Sequence, residues 1–512
     1  MSVDDFIADP WRQLHESYTE SFLHMKPAPE YANGEVILAS LYRNVGFANA
    51  ASQVAEAKVP SNGAKLDKLI ERGNPTAISP AGVPASTWKG ILAALRSPRQ
   101  PNQSARRVLQ ISPIVPDAAI YSLSARLRGN PWNPGEMVRR LIIMGVADHQ
   151  KAIDLWAALH HAMTVQNNDD LWARFLTAEL QAWRPADLTA NWDDRQPVSV
   201  GDNHSVLQHW RLSPASIPAT RFCGDLESVL RLKQILTRRQ WISALESLLR
   251  IACASHVLWL CKANNVVLKI VEESLQGRPP SSSSTVSSQL ERATITWSYG
   301  HLAQPKILDR ARVFVRSRLR LNLILWQLSE HLGNQSGVDL SNVDAIFASC
   351  QRLASEAQHF DWSRYERDGL AVVEQDPRKG SCNNGIGKNI VEFLMHVLRQ
   401  RPTSEVGMEN YDQGFMLRKK GSYDKAPWIL SLGPVAVLTL VHCCTSSTRG
   451  PRTVEDLCHH LAQYGVMLSP QDIAGSDLGK TLRNLGMVLD SPDAEGGMVL
   501  VSPFQSRLEG QA

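Results

Sequence analysis

Glu392 and His396 stand four residues apart in a stretch that reads as helix, so both project from one face. That spacing suits a general base and its partner, or one edge of a metal site. Glu374, eighteen positions before Glu392, completes the enzyme-like combination in the chain. A restriction-type carboxylate nuclease would put a lysine two residues after Glu374, and Asp376 occupies that place. The sequence supplies no third ligand or nucleophile, which makes a structural hydrogen bond the commoner fate of the Glu392/His396 pair.

Two glycine-bearing segments invite a phosphate reading. Residues 380–388, GSCNNGIGK, follow the strand-like LAVVEQ and lead into a helical run, and a glycine-rich turn at a helix start can hold an anion on backbone N–H groups. Ile390 occupies the place of the third glycine in G-x-G-x-x-G. Residues 474–481, AGSDLGKT, fit the relaxed spacing of a P-loop with Lys480 and Thr481 in position, but the preceding SPQDI is no buried strand. A packed helix accounts for its leucines better. Cys443, Cys444, Cys458, His459 and His460 have zinc-ligand types without zinc-ligand spacing, as do His160, His161, Asp169 and Asp170. There is no H-E-x-x-H and no G-x-S-x-G. Binding is therefore expected ahead of catalysis, with no cofactor, no metal and no small-molecule ligand.

Positive charge is concentrated in two places. Residues 306–320 carry Lys306, Arg310, Arg312, Arg316, Arg318 and Arg320 against Asp309, and the unbroken span from 305 to 332 favours helix over strand. Arg418, Lys419, Lys420 and Lys425 form the second patch. Arg312, Arg316, Arg320, Arg418, Lys419 and Lys420 are the candidate phosphate contacts, although a solvated or acid-paired face is the plainer reading of the first patch.

The patches must be positioned by something, and residues 427–504 hold the clearest pattern. An apolar helix is expected over 427–444. A second is expected from Thr453, with Asp456 completing a capping box and Val454, Leu457, Cys458 and Leu461 on one face. A third is expected from about Ser476, turning Leu478, Leu482 and Leu485 inward and Lys480, Thr481 and Asn484 outward. MVLD and GMVLV then read as a hairpin. This is the order of a winged helix-turn-helix, in which Lys480, Thr481, Arg483 and Asn484 are the groove-facing candidates. The stretch holds four basic and seven acidic residues, Asp490, Asp493 and Glu495 among them in the wing turn. A duplex-gripping unit needs the reverse balance, so a protein partner is expected first and DNA second.

The whole chain has 512 residues, net charge +4, 43% hydrophobic and 20% charged residues, and 14 tryptophans. That is an ordinary globular composition implying no particular partner. Eight cysteines without a framework suggest reduced thiols, and the N-terminus lacks a targeting pattern, so a cytoplasmic, non-membrane protein is expected. The fold class expected is mainly α, with irregular multi-helix domains and a C-terminal winged-helix-like module. The divisions expected are a helical domain over 1–193, a middle helical segment over 194–277, a Ser/Pro-rich linker over 278–289, a helical domain with the basic segments over 290–426, and the module over 427–504.

In plan, a helical chain ending in a winged helix resembles kleisin-type subunits of chromosome-organising complexes and accessory proteins of bacterial DNA-maintenance or phage-defence systems. That resemblance implies a non-enzymatic interaction subunit of a multi-protein assembly acting on DNA. The alternatives are a sequence-specific winged-helix regulator and an enzyme built on Glu374, Glu392 and His396.

Overall fold

The structure, a computed structural model, describes residues 2–25, 32–47, 73–74, 76–99, 101, 111–121, 134–146, 148–186, 191–200, 217–294, 296–332, 338–355, 357–423, 425–446, 450–489, 498–502 and 504. The acidic wing turn with Asp490, Asp493 and Glu495 lies outside the described residues. Within them the chain is mainly helical, with only short strands.

Helix α1 (Gly34–Gly46) begins where the Asn33 side chain accepts from the Val36 N–H at 2.9 Å, and is buried nearly all round. Helix α2 (Ala85–Ala94) lies between it and α3 (Pro134–Gly145) in sequence. Glycine sits where α3 comes closest to its neighbours. A Cβ on Gly135 would strike the Ser40 carbonyl of α1, and one on Gly145 would strike the Ala219 carbonyl of α5 (Ile217–Arg231). Between these, α4 (Leu171–Ala182) starts on an Asp170 cap.

The core is organised on α6 (Arg238–Ser274), which at 37 residues is about 55 Å long at 1.5 Å per residue. Thr237 and Gln240 close a capping box at its start. It is long and apolar enough to cross a membrane, yet 94% of its most apolar window is buried against the protein's own helices. Its apolar character is used in packing on α1, α3, α5 and the helices that follow.

Three expectations change downstream. In the expected linker, Ser282 caps a helix, α7 (Ser283–Glu291), whose Val286 and Leu290 are buried. The Leu290 carbonyl accepts from Trp259 Nε1 of α6 at 2.9 Å, so these serines serve a cap rather than a tether. After strand β1 (Trp297–Ser298) comes α8 (Gln304–Leu332), the expected long helix. The strand-like LAVVEQ is helical, belonging mostly to α9 (Trp362–Glu374), because Tyr365, Asp368 and Val372 recur at helical spacing on its buried face. Helix α10 (Gly385–Leu398) follows the glycine turn.

The third change lies at 427–444, where the expected helix starts late. Strand β2 (Leu417–Lys419) pairs antiparallel with β3 (Trp428–Leu430), and helix α11 (Pro434–Ser446) begins only at Pro434, a residue suited to a first turn. Then come β4 (Arg452–Thr453), α12 (Val454–Gln463) with its Thr453/Asp456 capping box, β5 (Val466–Met467), α13 (Asp477–Asn484) capped by Ser476, β6 (Val488–Leu489) and β7 (Val499–Leu500). The last strands form an antiparallel sheet in the order β4–β7–β6, while β5 pairs in parallel with β1.

This C-terminal unit is fastened to the helices before it. Asp225 of α5, fully buried, receives Arg221 at 2.7 Å on one oxygen and both His460 Nε2 (2.9 Å) and the Tyr464 hydroxyl (2.8 Å) on the other. Ser255 of α6 donates to the Tyr464 carbonyl at 2.9 Å. Buried polar groups on both sides of the join are thus satisfied only when the unit is docked.

Candidate nucleic-acid interface

Helix α13 places its predicted residues outward. Leu478 and Leu482 are buried, while Lys480, Arg483 and Asn484 are exposed and Thr481 is half-buried, its hydroxyl donating to the Asp477 carbonyl at 2.8 Å. Arg483 Nη2 lies 3.6 Å from Met498 Sδ, which turns it toward β7. The AGSDLGKT segment is a short helix, Pro470–Ala474, a Ser476 cap and α13, so the strand–loop–helix of a P-loop is replaced by helix–turn–helix.

The second basic patch folds against this helix. Arg418 of β2 donates to the carboxylate of Asp477 at the first position of α13. The strand pairing then fixes Lys419 opposite Trp428, with its ammonium 5.9 Å from the ring centroid, and leaves Lys420 exposed. A groove of about 540 Å³ runs beside the contact, lined by Tyr299, His301, Ser431, Ser469, Ser476 and Asp477. Two candidate groups separated by some sixty positions in sequence thus become neighbours.

The first patch divides. Arg312 and Arg316 are exposed on α8, but Arg318 is buried and donates to the Trp11 carbonyl at 3.2 Å. Arg320 is committed to Glu366 at 2.8 Å and Glu272 at 3.8 Å, with its guanidinium 5.4 Å from the centre of the Tyr365 ring. The acid-paired reading therefore applies to Arg320 and leaves two outward arginines. Arg312 and Arg316 lie near the 380–388 turn, where Cys382 takes a positive φ of 62° and Asn384 caps α10. Burial pushes the Cys382 thiol up, and the charges of Arg312 and Arg316 oppose that push.

The enzyme-like residues divide between two helices, with Glu374 on α9 and Glu392 and His396 together on α10. Glu374 is exposed at the last residue of α9. Glu392 pairs with Lys388 at 3.7 Å on α10. Burial, reinforced by Arg399, lowers His396 to about 3, so its imidazole is neutral at physiological pH. Of the other histidine and cysteine suspects, His161 and His459 are exposed and the rest are buried or hydrogen-bonded within the fold. His160 Nε2 meets the Asp193 carbonyl at 2.7 Å, Asp169 pairs with Lys233 at 2.6 Å, and all eight cysteines are buried and unbridged. Among the described residues no group of three or more His, Cys, Asp or Glu is arranged to hold a metal ion.

Sequence reasoning missed a second cluster. Arg401 meets Glu35 at 3.0 Å, Glu246 at 3.1 Å and Asp412 at 3.2 Å, and Arg250 meets Asp412 at 2.7 Å. Burial would raise Asp412, but Arg250 and Arg401 overcome it and hold the carboxyl well below its usual range. Only the i,i+4 pair Glu246/Arg250 is marked by a local pattern, and the other partners come from separate stretches of the chain.

No known protein family, curated protein or solved structure matches this chain.

Proposed function

We propose that residues 427–504 form a winged-helix-like module and that the chain is a non-enzymatic subunit of a multi-protein assembly acting on DNA, of the DNA-maintenance or phage-defence kind. The order α11–β4–α12–α13–β6–β7, with β7 between β4 and β6, supports the module, and α13 is its recognition helix. The cytoplasm is the compartment this reading expects.

The observation that carries the DNA contact is Arg418 on Asp477. It offsets the acid that would repel phosphate at the start of α13. It also sets the strand bearing Lys419, and Lys420 after it, against the helix bearing Lys480 and Arg483. Phosphate neutralisation by lysine and arginine supplies most sequence-independent affinity for a duplex. Leu485 and Leu489, exposed at the turn from α13 into β6, favour a protein partner at that corner.

Titration of the full chain with a labelled random-sequence duplex at several salt concentrations tests this reading. Binding should weaken with salt, and Lys419→Glu, Lys420→Glu and Lys480→Glu combined should lower both affinity and salt slope, each lost phosphate contact removing about 0.9 from the slope. Affinity unchanged by the three reversals would sink the proposed interface.

A further inference from the structure

We propose that the Arg401 cluster is the floor of a binding site for a guanine nucleotide, a small-molecule partner that composition and motifs had not suggested. The cluster lies at a cavity of about 430 Å³, within the size range of small-molecule sites. Its walls come from the end of α2, the 95–98 turn, the start of α4, the first two turns of α6 and the loop that follows Arg401. That loop is tied down by Ser404 N–H on the Arg99 carbonyl (3.0 Å) and Arg99 N–H on Glu405 (2.9 Å).

The floor offers hydrogen-bond acceptors. Glu35 uses Oε2 for Arg401 and for the Ser97 hydroxyl (2.5 Å), and Glu246 uses Oε1 for Arg401. Among the described residues Glu35 Oε1 and Glu246 Oε2 have no hydrogen-bond partner, although the Glu35 side chain is only 8% exposed. Asp412 and Arg250 complete the floor and Arg96 also lines the cavity, so the charges are close to balanced and it is the two unused carboxylate oxygens that favour a ligand bringing N–H donors.

The middle of the cavity is apolar and aromatic, and the mouth is basic. Ile91, Ile114 and Ile242 line one side; Tyr411 lies 5.3 Å from the Arg401 guanidinium, and Trp172 stands 44% exposed. Arg239, in the first turn of α6, is exposed at the edge. A ligand matching all three zones carries adjacent N–H donors on one edge, a flat ring system in the middle and a negative tail. Guanine presents N1–H and its 2-amino group to the two carboxylate oxygens, and its phosphate reaches Arg239. Adenine would turn its N1 lone pair toward the same oxygens and be repelled.

Calorimetry and tryptophan fluorescence on the full chain, titrated with GMP, guanosine, AMP and agmatine, test the site. GMP should bind saturably and quench fluorescence, with AMP at least about tenfold weaker, since unpaired buried polar groups penalise the wrong edge. Arg239→Ala should weaken GMP about tenfold and leave guanosine unchanged, and Trp172→Ala should weaken both. Both positions are partly exposed, so these variants should fold. Glu246→Gln, with its melting temperature checked, should remove the preference for guanine. No saturable GMP binding into the millimolar range, equal affinity for AMP, preference for agmatine, or GMP affinity unaltered by both rim variants would each overturn the proposal.

Discussion

Tyr464 donates its phenolic hydrogen to Asp225 across the join between the C-terminal unit and α5, at 2.8 Å, and His460 shares the same carboxylate oxygen at 2.9 Å. Burial and the Asp225 charge push the Tyr464 hydroxyl well above its ordinary range, so it stays a donor. Helix α12 and the turn after it are therefore held to α5 by a polar lock as well as by apolar contact.

Breaking that lock should cost unequally. Tyr464→Phe removes one bond and leaves Asp225 with Arg221 and His460, a loss of about 1–2 kcal/mol. Asp225→Ala strands Arg221 and both donors and should cost about 3–5 kcal/mol. Urea unfolding measures both, and an Asp225→Ala loss no larger than that of Tyr464→Phe would refute the ordering.

The Arg401 cluster should respond the same way to losing its centre. Arg401→Ala leaves Glu35, Glu246 and Asp412 with one buried arginine and should destabilise by about 3–5 kcal/mol. The depressed Asp412 carboxyl contributes stability that is present above its unfolded value near 4 and is lost as pH falls below it. Acid unfolding of Asp412→Asn should therefore be less steep below about pH 4 than that of the parent chain, which chemical denaturation at stepped pH would reveal.

His256, fully buried on α6, is lowered to about 3 by burial and then by Arg140. The folded state binds its proton less readily than the unfolded chain, so this contribution is complete above about pH 6.5 and declines as pH falls toward 3. The decline amounts to about 1.4 kcal/mol per pH unit. His256→Gln should flatten the slope between pH 6 and 4 by about that amount, and an unchanged slope would assign the acid sensitivity elsewhere.

Asp477 should restrain DNA binding by holding Arg418. Asp477→Asn is expected to raise duplex affinity several-fold and steepen its salt dependence, because one more guanidinium becomes available to phosphate. Arg418→Glu should do the opposite. Equal affinities for the two variants would remove the pair from the interface.

Local rules carried the C-terminal elements well. The Thr453/Asp456 capping box and the alternation of Leu478 and Leu482 with Lys480 and Arg483 are statements about residues three or four apart, and these helices begin and face as expected except at Leu485, which was expected inward and is exposed where α13 has already ended. The same rules failed at Trp428–Leu430, where pairing with Leu417–Lys419 overrides an apolar run, and at Ser283–Glu291, where serines cap instead of linking.

The residues alone thus determined a mainly helical chain, its best-capped helices and which side chains carry charge, since periodicity and capping act within a turn or two. The partner each charge takes was decided only in three dimensions. Arg320 goes to Glu366, Arg418 to Asp477 and Arg401 to Glu35, pairs drawn from elements up to several hundred positions apart. Coulombic and desolvation energies depend on distance and burial in the packed chain, and sequence separation reports neither.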